Sequence, residues 1–150
     1  MSIWRRLLDR LTGSPAKPRR LDYLNEALAL ERQGDYTQAI TSYKLGLRGT
    51  PGDPRLLQNM AIAFTKTGQP DEAIRHYRKA LALDPTLCGA HYGLAFLLLR
   101  RGEGDRAAEH LRAFLARPPK GADADRWTGH AERTLRELED AQATSVAETA

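Results

Sequence analysis

Apolar positions follow a helical rhythm through the middle of the chain. Between Arg55 and Pro85, Leu56, Leu57, Met60, Ala61 and Phe64 form one set at three-to-four-residue spacing. Ala73, Ile74, Tyr77, Ala80 and Leu81 form a second. Such spacing gathers side chains on one face of a helix. Gly68-Gln69-Pro70 separates the sets. Glycine accepts the left-handed backbone that closes a helix, and proline suits the first position of the next. The stretch therefore predicts two antiparallel helices joined by a tight turn. A lone two-helix hairpin cannot bury its own apolar face, so it needs neighbours.

The chain supplies them at a fixed interval. Gly34, Gly68 and Gly102 are 34 residues apart, and so are Ala39, Ala73 and Ala107. Pro51, Pro85 and Pro119 keep the same interval, as do Leu47, Leu81 and Leu115, and Ala27, Ala61 and Ala95. Tyr43, Tyr77 and Leu111 occupy one further column. A repeat of this length marks a stack of supersecondary units. The pattern predicts helices over 20–33, 36–49, 54–67, 70–84, 88–101 and 105–117. Small residues in two columns let paired helices approach closely, and large residues fill the gaps between hairpins.

These columns resemble the tetratricopeptide repeat. The first unit matches at Tyr23, Ala27, Leu30, Gly34, Tyr36, Ala39, Tyr43, Leu47 and Pro51. The second matches at Leu57, Ala61, Phe64, Gly68, Ala73, Tyr77, Ala80, Leu81 and Pro85, and the third at Leu94, Ala95, Leu98, Gly102, Ala107, Leu111, Leu115 and Pro119. The resemblance implies an all-α fold: an α-solenoid of three antiparallel helical hairpins over 20–121, in units of about 20–53, 54–87 and 88–121. Gly46 and Phe114 depart from the small Ala80 of the second unit, and Gly104 replaces the usual aromatic. The outer helix of the third hairpin is therefore expected to pack differently.

The flanks differ from the repeats. Residues 1–12 read as a short amphipathic helix, with Ile3, Trp4, Leu7, Leu8 and Leu11 on one side and Arg5, Arg6, Asp9 and Arg10 on the other. So short a helix is marginal alone in water. Its apolar side calls for the domain itself or another copy, a different protein, or an anionic membrane surface. Residues 13–19, with Pro15 and Pro18, read as a linker. Residues 122–141 read as a capping helix, started by Asp123 or Asp125, with Trp127, Ala131, Leu135 and Leu138 as its packing face. Residues 142–150 show no pattern and are expected to fray.

Charge is unevenly placed. The first 20 residues hold six basic side chains and one acid, and the other 130 hold 17 basic and 18 acidic ones. The repeats thus lack the basic excess of a nucleic-acid binder. No run of about 20 apolar residues suggests a membrane span, and Arg5, Arg6, Asp9 and Arg10 interrupt any secretory apolar core. The single cysteine, Cys88, excludes an internal disulfide. The expected location is the cytoplasm, with peripheral contact at the inner face of a membrane if residues 1–12 bind lipid. Cys88 and His91 share a helix face, but two ligands fall short of the roughly four a closed metal site needs. No catalytic motif or phosphate-binding loop appears. No enzyme activity, cofactor or metal is expected.

The resemblance places the first helix of each unit on a concave groove. That implies a groove of Leu24, Leu28 and Arg32 from the first unit, Arg55, Gln58, Asn59, Ile62 and Lys66 from the second, and Tyr92, Phe96, Leu99 and Arg100 from the third. Its middle is apolar, and Arg32, Lys66 and Arg100 form a basic ladder beside it. Basic side chains also suit helix C-termini on electrostatic grounds alone. The expected function is a non-catalytic adaptor holding a peptide or amphipathic helix of a partner protein. The alternative is an adaptor that uses residues 1–12 for membrane attachment or self-assembly. Gly89 and Gly93 lie inside a predicted helix, where each costs up to about 1 kcal/mol against alanine. Close approach of a backbone or ligand, or loose packing of the third repeat, would explain them.

Some family members hold chaperone C-terminal tails through five polar groove positions. Here those positions carry Leu24, Leu28, Asn59, Gly89 and Gly93, and only Asn59 offers polar side-chain atoms. The chain is therefore expected not to bind a peptide ending Glu-Glu-Val-Asp. Calorimetric titration checks this, and a measurable affinity lost on Asn59→Ala would contradict it.

Overall fold

A computed structural model describes residues 20–150. The amphipathic helix and linker expected over 1–12 and 13–19 lie outside the described residues. Helices α1 (Arg20–Arg32), α2 (Tyr36–Gly49), α3 (Pro54–Lys66), α4 (Pro70–Leu83), α5 (Cys88–Arg100), α6 (Gly104–Ala116) and α7 (Ala124–Thr149) follow in order, with no strand among the described residues. They form three hairpins, α1–α2, α3–α4 and α5–α6, each stacked on the next, and α7 lies against α6. The first helices of the second and third hairpins, α3 and α5, also touch directly.

The turns inside the hairpins are built alike. Gly34, Gly68 and Gly102 have φ of 80°, 72° and 77°, the left-handed region that side chains disfavour. Each lets the chain fold back so that the following N–H reaches a carbonyl five residues earlier. Asp35 N–H donates to Leu30, Gln69 N–H to Phe64 and Glu103 N–H to Leu98, at 2.9, 2.9 and 3.0 Å. Carbonyls left open by the helix end are thereby satisfied. Helix starts are assisted by Asp53, whose carboxylate accepts from Arg55 and Leu56 N–H, and by Pro54 and Pro70 in the first turn.

The alanine columns are fully buried: Ala27, Ala61 and Ala95 on the first helices, Ala39, Ala73 and Ala107 on the second. A continuous apolar cluster runs from Ala27 through Tyr43, Phe64, Tyr77 and Leu94 to Ala107. A second cluster, of Ala95, Leu111, Phe114 and Ala131, joins the third hairpin to α7. Phe114 is buried there, in the slot that Ala80 fills one repeat earlier. The larger side chain reaches toward Tyr92, with ring centroids 5.1 Å apart.

One expectation for the C-terminus needs correction. Residues 142–149, expected to lack regular structure, continue α7 to Thr149. Their Gln, Ala, Ser and Glu residues sustain a helix, Thr144 Oγ1 donates to the Asp140 carbonyl at 3.0 Å, and Gln142 donates to the Asp105 carboxylate of α6. Asp123 is the N-cap residue of α7, one of the two the sequence offered, though its side chain makes no hydrogen bond to the helix. The helix is held instead by Leu135 and Leu138 packed on the second cluster and by an Arg112–Glu139 ion pair at 2.9 Å.

Three histidines pack among these helices. His76 is buried, lies 5.0 Å from the Phe64 ring, and hydrogen-bonds the Glu72 carbonyl through Nδ1 at 2.7 Å. His91 is half-buried. Its Nδ1 meets His110 Nδ1 at 2.9 Å, and its Nε2 meets the Pro85 carbonyl at 2.8 Å. Burial depresses the pKa of His76 below the usual 6.5, and Arg75 and Lys79 add to this against the opposing Glu72. Burial likewise depresses His110, helped by His91 and Arg78 and opposed by Glu109. Below pH 6.5 the unfolded chain therefore binds more protons than the folded one, so stability falls as pH drops through that window. The urea midpoint should decrease between about pH 7.5 and about pH 5.5, and His110→Gln should flatten the slope. A midpoint that rises on acidification would contradict this assignment.

Candidate binding groove

The face where α3 and α5 meet carries a hollow of about 470 Å³. Ile62 and Thr65 of α3 form one side. Cys88, Gly89, Tyr92, Gly93, Phe96, Leu97 and Arg100 of α5 form the floor and far side. Tyr77 of α4, Phe114 of α6, Pro119 and Trp127 of α7 complete it. The aromatic rings touch one another: Tyr92 lies 4.7 Å from Phe96 and meets Trp127 edge-on at 5.2 Å. His130 of α7 stacks on Phe96 at 4.6 Å and hydrogen-bonds the Tyr92 hydroxyl at 2.6 Å. These contacts fix the position of α7 over the third hairpin.

The electrostatics are simple. No carboxylate lines the hollow, and Arg100 stands at its edge. The Arg126 guanidinium sits over the Trp127 ring at 5.6 Å. Burial pushes the Tyr77 hydroxyl up to about 12, with Thr65 partly offsetting it. Burial also raises Tyr92, against the pull of Arg126. Both tyrosines are therefore neutral at physiological pH and serve as surface and hydrogen-bonding groups. A larger, more open depression of about 700 Å³ lies between the start of α6 and α7, and its Glu103 and Arg106 already pair at 2.9 Å.

Three family profiles, each described as tetratricopeptide repeat, match residues 24–55, 54–87 and 92–147. The chain belongs to the tetratricopeptide-repeat family. No curated protein sequence matches it. Among solved tetratricopeptide-repeat structures, one similar to it is the Yersinia enterocolitica type III secretion chaperone SycD, in complex with a peptide of the translocator YopD. The TM-score is 0.73 at 18% identity, over 80% of this chain and 92% of that one. The first such domain of Spaghetti (RPAP3), bound to the HSP90 peptide SRMEEVD, gives 0.71 at 22% identity, over 83% and 94%. The TPR2B domain of yeast Sti1, in its pHsp70 complex, gives 0.64 at 25% identity, over 79% and 91%. At such identities the shared feature is the architecture.

Of the groove residues expected from the tetratricopeptide pattern, the hollow brings together Ile62, Tyr92, Phe96 and Arg100. Gln58 borders it through its amide, which lies over Gly89. Leu24 and Leu99 pack on the main core, and Leu28 and Asn59 are half-buried outside the hollow. Arg32, Arg55 and Lys66 are exposed and stand apart from it. Arg32, Lys66 and Arg100 each occupy the last turn of α1, α3 and α5.

Several lining residues were not expected. Trp127, read as a packing residue of the cap, is 41% exposed and walls the hollow. It lies at the start of α7, beyond the buried Ala131, where the cap no longer covers α5 fully. Phe114 was visible only as a departure from the repeat. Gly93 answers neither loose packing nor a backbone contact. A Cβ there would stand 2.5 Å from Tyr77 Cζ, so the glycine admits the tyrosine ring of the preceding repeat.

A substitution pair tests that contact. Gly93→Ala should cost about 1–3 kcal/mol by overpacking. Gly89→Ala meets only the movable Gln58 amide at 3.2 Å and should stay within about 1 kcal/mol of the parent, offset by better helix propensity. Urea denaturation measures both, and equal effects at the two glycines would refute the Tyr77 explanation.

Proposed function

We propose that the chain is a non-catalytic adaptor that holds a peptide or amphipathic helix of a partner protein on the face lined by α3 and α5 and closed by α7. The observation that carries this reading is the open apolar hollow, where Ile62, Tyr92, Phe96 and Trp127 face solvent in part. Concave, mostly apolar sites of several hundred Å³ with a few polar groups are the usual form of binding sites. The SycD, Spaghetti and Sti1 structures, each a complex, support the same use of the architecture.

The chemistry of the face suits binding better than catalysis. Its lining is mostly aromatic and aliphatic, with no carboxylate. Among the described residues no three His, Cys, Asp or Glu side chains gather as metal ligands. Among them, too, no helix is long and apolar enough to cross a membrane. A rigid stack orders little on binding, which lowers the entropic cost of capturing a flexible segment.

Affinity capture from cell extract tests the reading. Phe96→Glu should abolish capture of the partner and leave the helical circular dichroism unchanged. Leu83→Glu, at an exposed apolar position outside the hollow, should leave capture intact. Retention of the partner by Phe96→Glu would refute the groove.

A further inference from the structure

We propose that the hollow takes one bulky apolar side chain, aromatic or large aliphatic, from a peptide whose flanking residues are acidic. This rests on the groove reading above and narrows its partner. The anchor follows from the shape. At two positions where some relatives carry polar tail-binding side chains, this chain has Gly89 and Gly93. The hydroxyl end of Tyr77 fills the space beside Gly93, so this part of the floor carries a neutral phenol and no charged group. Gly89 is exposed and lines the hollow with only the movable Gln58 amide beside it, and Phe96, Phe114 and Trp127 supply the walls. A side chain entering here exchanges water for aromatic and aliphatic surface, with no carboxylate-binding fork to satisfy.

The acidic flank follows from charge. Helices α3 and α5 contain Arg55, Lys66 and Arg100 and no aspartate or glutamate. Among the described residues, none of these three, nor Arg126, takes an ion pair within 4.0 Å. Arg100 lines the hollow and Arg126 sits over its Trp127 wall, so an acid within one turn of the anchor meets positive charge on either side. The same charges disfavour the chain's own first 20 residues as occupant, since these hold six basic side chains and one acid.

Selection of random twelve-residue displayed peptides on the full chain tests this, followed by affinity measurement on synthesised winners. Winners should share one aromatic or large aliphatic residue with Asp or Glu beside it. Gly89→Leu, which adds a bulky side chain at the hollow's lining and displaces the Gln58 amide, should weaken them roughly ten-fold. Arg100→Glu should weaken them about five-fold, with the loss shrinking at high salt. Winners insensitive to Gly89→Leu, or enriched in basic residues, would overturn the anchor and leave a peptide groove standing. No enrichment at all would overturn both readings. Enrichment only on a full-length Trp4→Glu, Leu8→Glu variant would assign the hollow to the chain's own N-terminal segment and overturn the proposal.

Discussion

Each hairpin carries more apolar surface than its two helices can cover, and the excess is covered only by the next hairpin. That constraint sets the small columns Ala27–Ala61–Ala95 and Ala39–Ala73–Ala107, which are fully buried. It also sets the large residues between hairpins, Tyr43 and Tyr77 among them, which join the repeats into one cluster. Stability in such a stack is a sum of units and nearest-neighbour contacts, so the middle hairpin, flanked on both sides, is the best supported.

The stack must also stop, and the manner of stopping generates the site. Helix α7 covers α6 through Ala131, Leu135 and Leu138, but its first turn overhangs α5. Trp127 and His130 then meet Tyr92 and Phe96 across a gap. Buried Phe114 backs the Tyr92 ring, and Tyr77 occupies the space that Gly93 leaves. The hollow is thus a by-product of terminating a repeat array with an amphipathic helix, with basic charge left at its edges.

Much of this was legible in the chain. The 34-residue columns carry the hairpins and their glycine turns because a left-handed turn and a small contact each demand particular residues. Ile62, Tyr92, Phe96 and Arg100 followed from slot position. Trp127 did not, because an apolar face on a cap says nothing about how far the cap overlaps its neighbour. The Gly93–Tyr77 contact joins residues from successive repeats, and periodicity within one helix cannot report it. The helical extension to Thr149 was missed because residues 142–149 have no apolar stripe, and their support comes from polar contact with α6.

The central claim is that the face between α3, α5 and α7 is where a partner segment lies. Nuclear magnetic resonance of the full chain during titration with a bound partner peptide tests it most directly. The account predicts shifts in the Ile62 and Leu97 methyls and the Trp127 indole, with the Leu83 and Val146 methyls, exposed elsewhere, unmoved. Shifts confined to Leu83 and Val146, with Ile62, Leu97 and Trp127 unchanged at saturation, would contradict it.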